Sequence, residues 1–179
     1  MNRIGLGMAV AGLAVCVCAG ARAQDVTPAD KTFVEDAQQG NYAEIAMARL
    51  ALEKSKDPNV RRFAERMIHD HEMLNSQLKR LAAKLHIREE SGPSIVEKAK
   101  YEELKLKSGQ SFDYAYVEAM VKDHNDDLQK FIDEENSAQN PELKATVQKA
   151  EQVVKEHTEM IDGIAHLGGI QTPPMPSGA

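Results

Sequence analysis

The sequence predicts an all-α fold: a bundle of four long amphipathic helices with one long crossover that carries a short extra helix. Three observations lead there. No segment alternates apolar and polar residues with the period of two that a half-buried strand requires. Four stretches instead repeat apolar residues at intervals of three and four, which is the stripe of a helix packed on one face. The dipeptides Thr27-Pro28, Asp57-Pro58 and Asn140-Pro141 each place a capping side chain before a proline at the first helical position.

The first helix is expected over about 28–55, with Phe33, Ala37, Gly40, Glu44, Met47 or Ala48, and Ala51 on its packing face. Glycine costs about 1 kcal/mol in a helix interior, so Gln38-Gln39-Gly40-Asn41 marks the place where this helix would bend. The second, over about 57–86, carries Val60, Ala64, Met67, His71, Leu74, Leu78, Leu81 and Leu85 in an unbroken stripe. The third, over about 111–137 with Ser111 as its cap, shows Phe112, Tyr116 or Val117, Met120, His124, Leu128 and Phe131. The fourth, over about 141–166, repeats the pattern with Leu143, Val147, Ala150, Val154, His157, Ile161 and Ile164, and stops at Gly168-Gly169. Each is about 40 Å long at 1.5 Å per residue.

The link from the second to the third of these helices, residues 87–110, is too long for a simple turn. It holds a short helical stretch from Ser94 to about Lys107, between Gly92-Pro93 and Ser108-Gly109. Such a segment reaches roughly 40 Å, enough to cross the length of the bundle, so a crossover competes with the simple up-down-up-down route.

The ends read differently. Arg3, an apolar run from Ile4 to Gly20 and the Ala21-Arg22-Ala23 site make residues 1–23 a secretory signal peptide. Export to the periplasm or beyond is the expectation, with no stable membrane span after cleavage. Cys16 and Cys18 fall inside that segment, so the remainder is cysteine-free. Disulfides, thiolate metal sites and cysteine nucleophiles are thereby excluded from it. Residues 24–167 form the bundle, and 168–179, with three glycines and three prolines, are expected to be disordered.

The net charge of −6 includes Arg3 and Arg22; without them the chain carries 20 basic against 28 acidic residues, or −8. No Lys/Arg cluster supplies a nucleic-acid footprint. With 4% aromatics and no Trp, the core is left to Leu, Ile, Val, Ala and Met.

One ionisable residue interrupts each stripe near its middle: Glu44, His71, His124 and His157. Counted from the helix ends at 1.5 Å per residue, the four fall within about 5 Å of one level if the chain takes the crossover. The up-down-up-down route leaves His157 several ångströms out. Met47, Met67, Met120 and Met160 form a second layer about 5 Å away by the same count, where methionine commonly does no more than fill core space.

Three neutral imidazoles and a carboxylate at one depth suit a transition metal: Zn, Fe, Cu or Ni. The competing reading is three buried histidines, hydrogen-bonded and metal-free. The acids that precede the histidines, Asp70, Asp123 and Glu156, point about 100° away and read as solvated or as supports for the ligands. A ferritin-type di-iron centre is excluded, because it needs Glu-x-x-His on two helices and the positions three before these histidines are Ile68, Val121 and Val154. His69 faces away from the stripe, and His86 and His166 sit in last turns, where a cation complements the helix dipole.

The segments Ala43-Glu44-Ile45, Phe63-Ala64-Glu65-Arg66-Met67-Ile68-His69-Asp70-His71 and Ser108-Gly109-Gln110-Ser111-Phe112-Asp113 through Tyr116 carry a Phe-Ala-x-x-Met-x-x-Asp-His and a Ser-Gly-x-x-Phe-Asp-x-x-Tyr motif. Over roughly residues 30–167 the chain resembles the bacterial exported proteins grouped as domain of unknown function 4142, a ferritin-like family. The resemblance implies the ferritin-like topology and export, and it implies no activity.

Three functions remain in competition. One is an exported bundle that binds a transition metal through the His/Glu layer. The alternative is a structural or stress-related interaction protein of the cell envelope without metal, acting as a homo-oligomer or on an envelope protein partner. An acid–base enzyme is the weakest, because the sequence supplies no nucleophile and the layer should be too enclosed for most substrates.

Overall fold

A computed structural model describes residues 25–177; the expected signal peptide, residues 1–23, lies outside them. Five helices follow in order: α1 (Pro28–Lys54), α2 (Pro58–Leu85), α3 (Ile95–Lys105), α4 (Gly109–Ser137) and α5 (Pro141–Leu167). The described residues contain no strand, and no helix among them is long and apolar enough to cross a membrane.

The helix starts follow the local chemistry. Thr27 and Asp30 form a capping box, with Thr27 Oγ1 accepting from Asp30 N–H and Asp30 Oδ2 accepting from Thr27 N–H. Asp57 caps α2 and Asn140 caps α5, each accepting from two first-turn N–H groups ahead of its proline. Ser94 and Glu97 make a second capping box on α3. Ser111 does not cap α4. Gly109, at φ +55°, turns the chain into the helix two residues earlier, and the Ser111 hydroxyl donates to the Ser108 carbonyl from inside the first turn. At the end of α5, Gly169 (φ +72°) allows Ile170 N–H to reach Ala165 O at 2.9 Å and Gly169 N–H to reach His166 O at 3.2 Å. This Schellman arrangement folds Ile170, 6% exposed, back onto the core. The tail expected from composition to be disordered over 168–179 therefore carries an anchored side chain at Ile170.

Topology follows from which side chains share a cluster. One cluster joins the end of α1 (Met47, Ala51), the start of α2 (Val60, Phe63, Met67), the start of α4 (Phe112, Tyr116, Met120) and the end of α5 (Ile161, Ala165). The other joins Val34 with the end of α2 (Leu74, Leu78, Leu81), the end of α4 (Leu128, Phe131) and the start of α5 (Leu143, Val147). So α2 and α4 run in the same direction, opposite to α1 and α5. The link between them travels from Ile87 in the second cluster to Leu104 in the first. This is the crossover, ferritin-like order. α1 packs chiefly on α2 and α4 on α5, and α3 lies against α1 and α4.

The first half of α1 departs from its expected face. Val34, Gln38, Asn41 and Ile45 are buried, whereas Phe33, Ala37 and Gly40 are only half-buried. Those three line a cavity of about 510 Å³ between α1, α3 and α4.

Where α1 begins and α4 ends, Asp30 and Glu134 are both buried. Burial, the Asp30 charge and a hydrogen bond with Asp30 raise the Glu134 carboxyl from its ordinary 4.5 to about 7. The folded protein thus holds this proton more tightly than the unfolded chain does. Its stabilising contribution is complete below about pH 4.5 and is lost as pH rises through about 7. Denaturation midpoints between pH 4.5 and 8 should fall more steeply for wild type than for Glu134→Gln, which keeps the hydrogen bond without the titration; parallel profiles would contradict this.

Candidate metal centre

The crossover topology brings Glu44, His71, His124 and His157 together from α1, α2, α4 and α5, all four 5% exposed or less. The three imidazole rings have centroids 5.2, 5.6 and 6.1 Å apart. One nitrogen from each lies within 4.8 Å of the other two. Phe63, fully buried, places ring edges against His124 and His157 at centroid distances of 5.8 and 6.2 Å.

Each ring has one nitrogen held by an acceptor. His71 Nδ1 lies 2.8 Å from Asn41 Oδ1 and 3.1 Å from Glu44 Oε2. The Asn41 amide donates to Asn75 Oδ1 at 3.2 Å, which leaves its oxygen facing the imidazole. His124 Nδ1 is 2.9 Å from the Met120 carbonyl and 3.6 Å from Glu44 Oε1, and His157 Nε2 is 2.9 Å from Asp70 Oδ2. The Asn41 and Met120 carbonyl oxygens and the ionised Asp70 can only accept, so each of these nitrogens carries the proton. The remaining nitrogens, His71 Nε2, His124 Nε2 and His157 Nδ1, are buried and have no partner. In the neutral rings these are lone pairs.

Burial keeps the rings neutral. It holds His71 well below the ordinary imidazole value, with His157 and His124 adding repulsion. His124 drops to about 3, through burial and the neighbouring His157. His157 is lowered too, burial outweighing the attraction of Asp70. Glu44 moves the other way: burial, then Asp127, Asp123 and Glu97, raise its carboxyl well above the usual range. Tyr116, fully buried with its hydroxyl unpartnered, is raised by burial and by Glu44.

The acids beside the histidines divide by direction. Asp70, 3% exposed, sits on the side of α2 that meets α5, so it serves His157 of that helix and not its neighbour His71. Arg66 and His69 also bond to Asp70. Burial alone would raise the Asp70 carboxyl, but these bonds together with His157 bring it down to about 2. Asp123 pairs with Lys100 at 2.7 Å, and Glu156 pairs with Arg66 at 3.2 Å. His69 is exposed, as its direction predicts, His86 is the left-handed C-cap of α2 and His166 ends α5 against Thr172.

Asn41, Asn75 and Phe63 have no place in the sequence reading of the layer. Their signal was present: Asn41 lies three before Glu44, Asn75 four after His71 and Phe63 eight before it, all on the layer's own helix faces. The methionines behave as read: Met47, Met67 and Met120 are buried in the cluster beside the layer, and Met160 packs against it. The layer is enclosed as expected, each of its four residues 5% exposed or less, and the 510 Å³ cavity reaches it at Glu44 and His71.

The geometry can accept an ion. Metal–nitrogen bonds of about 2.0–2.1 Å in a tetrahedral site set the nitrogens about 3.3–3.4 Å apart. The nitrogens here lie within 4.8 Å of one another, so the rings would have to draw together to hold an ion. Three protein ligands would leave a fourth position open, unlike the four-ligand structural sites.

No curated protein matches the chain. The crystal structure of a DUF305 fragment from Deinococcus radiodurans is similar to it at 14% identity and a TM-score of 0.70, over 80% of this chain and 99% of that one, a likeness of fold alone. The family model described as a domain of unknown function (DUF4142) matches residues 17–164, and the chain belongs to that family.

Proposed function

We propose that the protein is an exported bundle that reversibly binds one transition metal ion among His71, His124 and His157. Asn41, Glu44, Met120 O and Asp70 hold the rings in place from behind. The observation that carries this reading is three buried imidazoles with one nitrogen of each within 4.8 Å of the others, while His71 Nε2, His124 Nε2 and His157 Nδ1 have no hydrogen-bond partner. A buried acceptor without a donor costs about 1–3 kcal/mol. A cation removes that cost, whereas a site built for stability alone would place a donor there or no polar atom at all. The acceptor behind each ring is the arrangement that fixes tautomer and orientation in imidazole metal sites. Imidazole donors suit Zn, Cu, Fe or Ni, and without Glu-x-x-His the site has no route to ferritin-type di-iron chemistry. Export is supported by the pattern of residues 1–23.

Metal analysis of tag-free protein should find about one ion per chain in wild type and little in His71→Ala; equal, sub-stoichiometric metal in both would contradict the proposal. At a hundredfold excess over the dissociation constant, an ion adds about 2.7 kcal/mol of stability, or roughly 5–10 °C in melting midpoint for a domain of this size. Asp70→Asn should weaken binding about 10–100-fold, as read by calorimetric titration. His124→Leu separates this account from the metal-free one. In chelator-treated protein it removes an unpartnered buried nitrogen and should melt no lower than wild type. With metal added, only wild type should rise. A lower midpoint for His124→Leu in chelator would mean that the histidines serve the fold.

A further inference from the structure

On the metal reading, an ion needs a way in, because the three histidines are 1–2% exposed. Two adjoining cavities, of about 510 and 110 Å³, open between α1, α3 and α4, and both are lined by Gly40, Glu44, Glu97, Asp127 and Lys130. The larger is also lined by His71, 2% exposed, whose Nε2 has no partner. One wall is therefore carboxylate, and His71 joins the cavity to the triad.

We propose that this cavity is the entry route and transient holding site through which a hydrated divalent metal cation reaches the histidine triad. Glu97 and Asp127 draw the ion in, Glu44 takes it at depth, and His71 is the first imidazole it meets. This rests on the metal-binding reading above and adds the path.

The details fit a path for cations and not a general pocket. Lys130 Nζ lies 2.6 Å from Asp127 Oδ1, with its side chain 64% exposed. Lys100 Nζ lies 2.7 Å from Asp123 Oδ1, on a side chain 43% exposed. These ammonium groups neutralise the acids while no metal is there, and both can swing to water when an ion arrives. A Cβ at position 40 would meet Glu97 Oε1 at an ordinary contact distance of 3.8 Å, so alanine fits and a longer side chain would reach into the cavity that Gly40 lines.

Stopped-flow uptake of cobalt(II) by the chelator-stripped protein, followed by visible absorbance, tests the route. Asp127→Asn with Glu97→Gln should slow association about tenfold or more at low salt and flatten its salt dependence, while the final spectrum stays that of wild type. Gln at 97 still completes the α3 capping box. Lys130→Gln should act in the opposite sense and speed uptake. Gly40→Leu, which favours the helix, should slow uptake with the salt dependence retained. Glu65→Gln with Glu159→Gln removes the same charge from exposed positions outside the cavity and should stay within twofold of wild type. If the cavity variants keep the wild-type rate, or if this control slows as much as they do, the route is overturned while the metal site stands. If wild type gives no cobalt spectrum, both proposals fall.

Discussion

Three imidazoles are taken out of water at one depth of this bundle, and the need to satisfy their N–H groups governs much of what surrounds them. A buried donor without an acceptor costs about 1–3 kcal/mol, so each ring is tied from behind: His71 to Asn41 and Glu44, His124 to Met120 O, His157 to Asp70. Those ties fix the rotation of α1, α2 and α5 about their axes, since the partner and the ring sit on different helices in two of the three cases. What remains after the donors are satisfied is a set of lone pairs that no protein donor meets.

The layer also divides the core. Apolar side chains gather in one cluster around Phe63, Met67 and Met120 and in another around Leu74, Leu128 and Leu143, on opposite sides of the histidines. A single apolar core would bury more hydrocarbon with less polar compensation. The crossover is part of the same design. Only with α2 and α4 parallel do residues 71 and 124 of these helices stand level with 44 and 157 of the opposed pair. The crossover helix then lies over α1 and α4 near Glu44, where it supplies Glu97 to the cavity wall. Fold order, core division and access are linked through one layer.

The helices, their boundaries to within two residues, and the crossover could all be read from caps, prolines and the 3–4 periodicity. These are local signals, and depth counting along rigid rods turned them into a tertiary layer. The sequence did not reveal which way each side chain turns at that layer. Asp70 was legible as an acid 100° from His71, but that its target is His157 depends on α5 being the neighbour on that side. Asn41 and Asn75 carry no charge and break no stripe, so they read as ordinary polar positions, although they bond to each other across α1 and α2. Phe33 and Ala37 pack against the second cluster as their spacing suggests, but with Gly40 they also line a cavity, because α3 stands off from α1 there. Periodicity reports which residues share a face; it says nothing of whether a neighbour fills the space opposite.

The central claim is that a metal ion sits among three imidazoles whose other nitrogens are held by the protein. Crystals grown with zinc, with diffraction recorded above and below its absorption edge, address it directly. The account predicts one anomalous peak per chain, about 2.0–2.1 Å from His71 Nε2, His124 Nε2 and His157 Nδ1, with the bonds to Asn41, Met120 O and Asp70 intact. Ordered histidines at full zinc concentration with no peak between them, or a peak bound only at surface carboxylates, would contradict it.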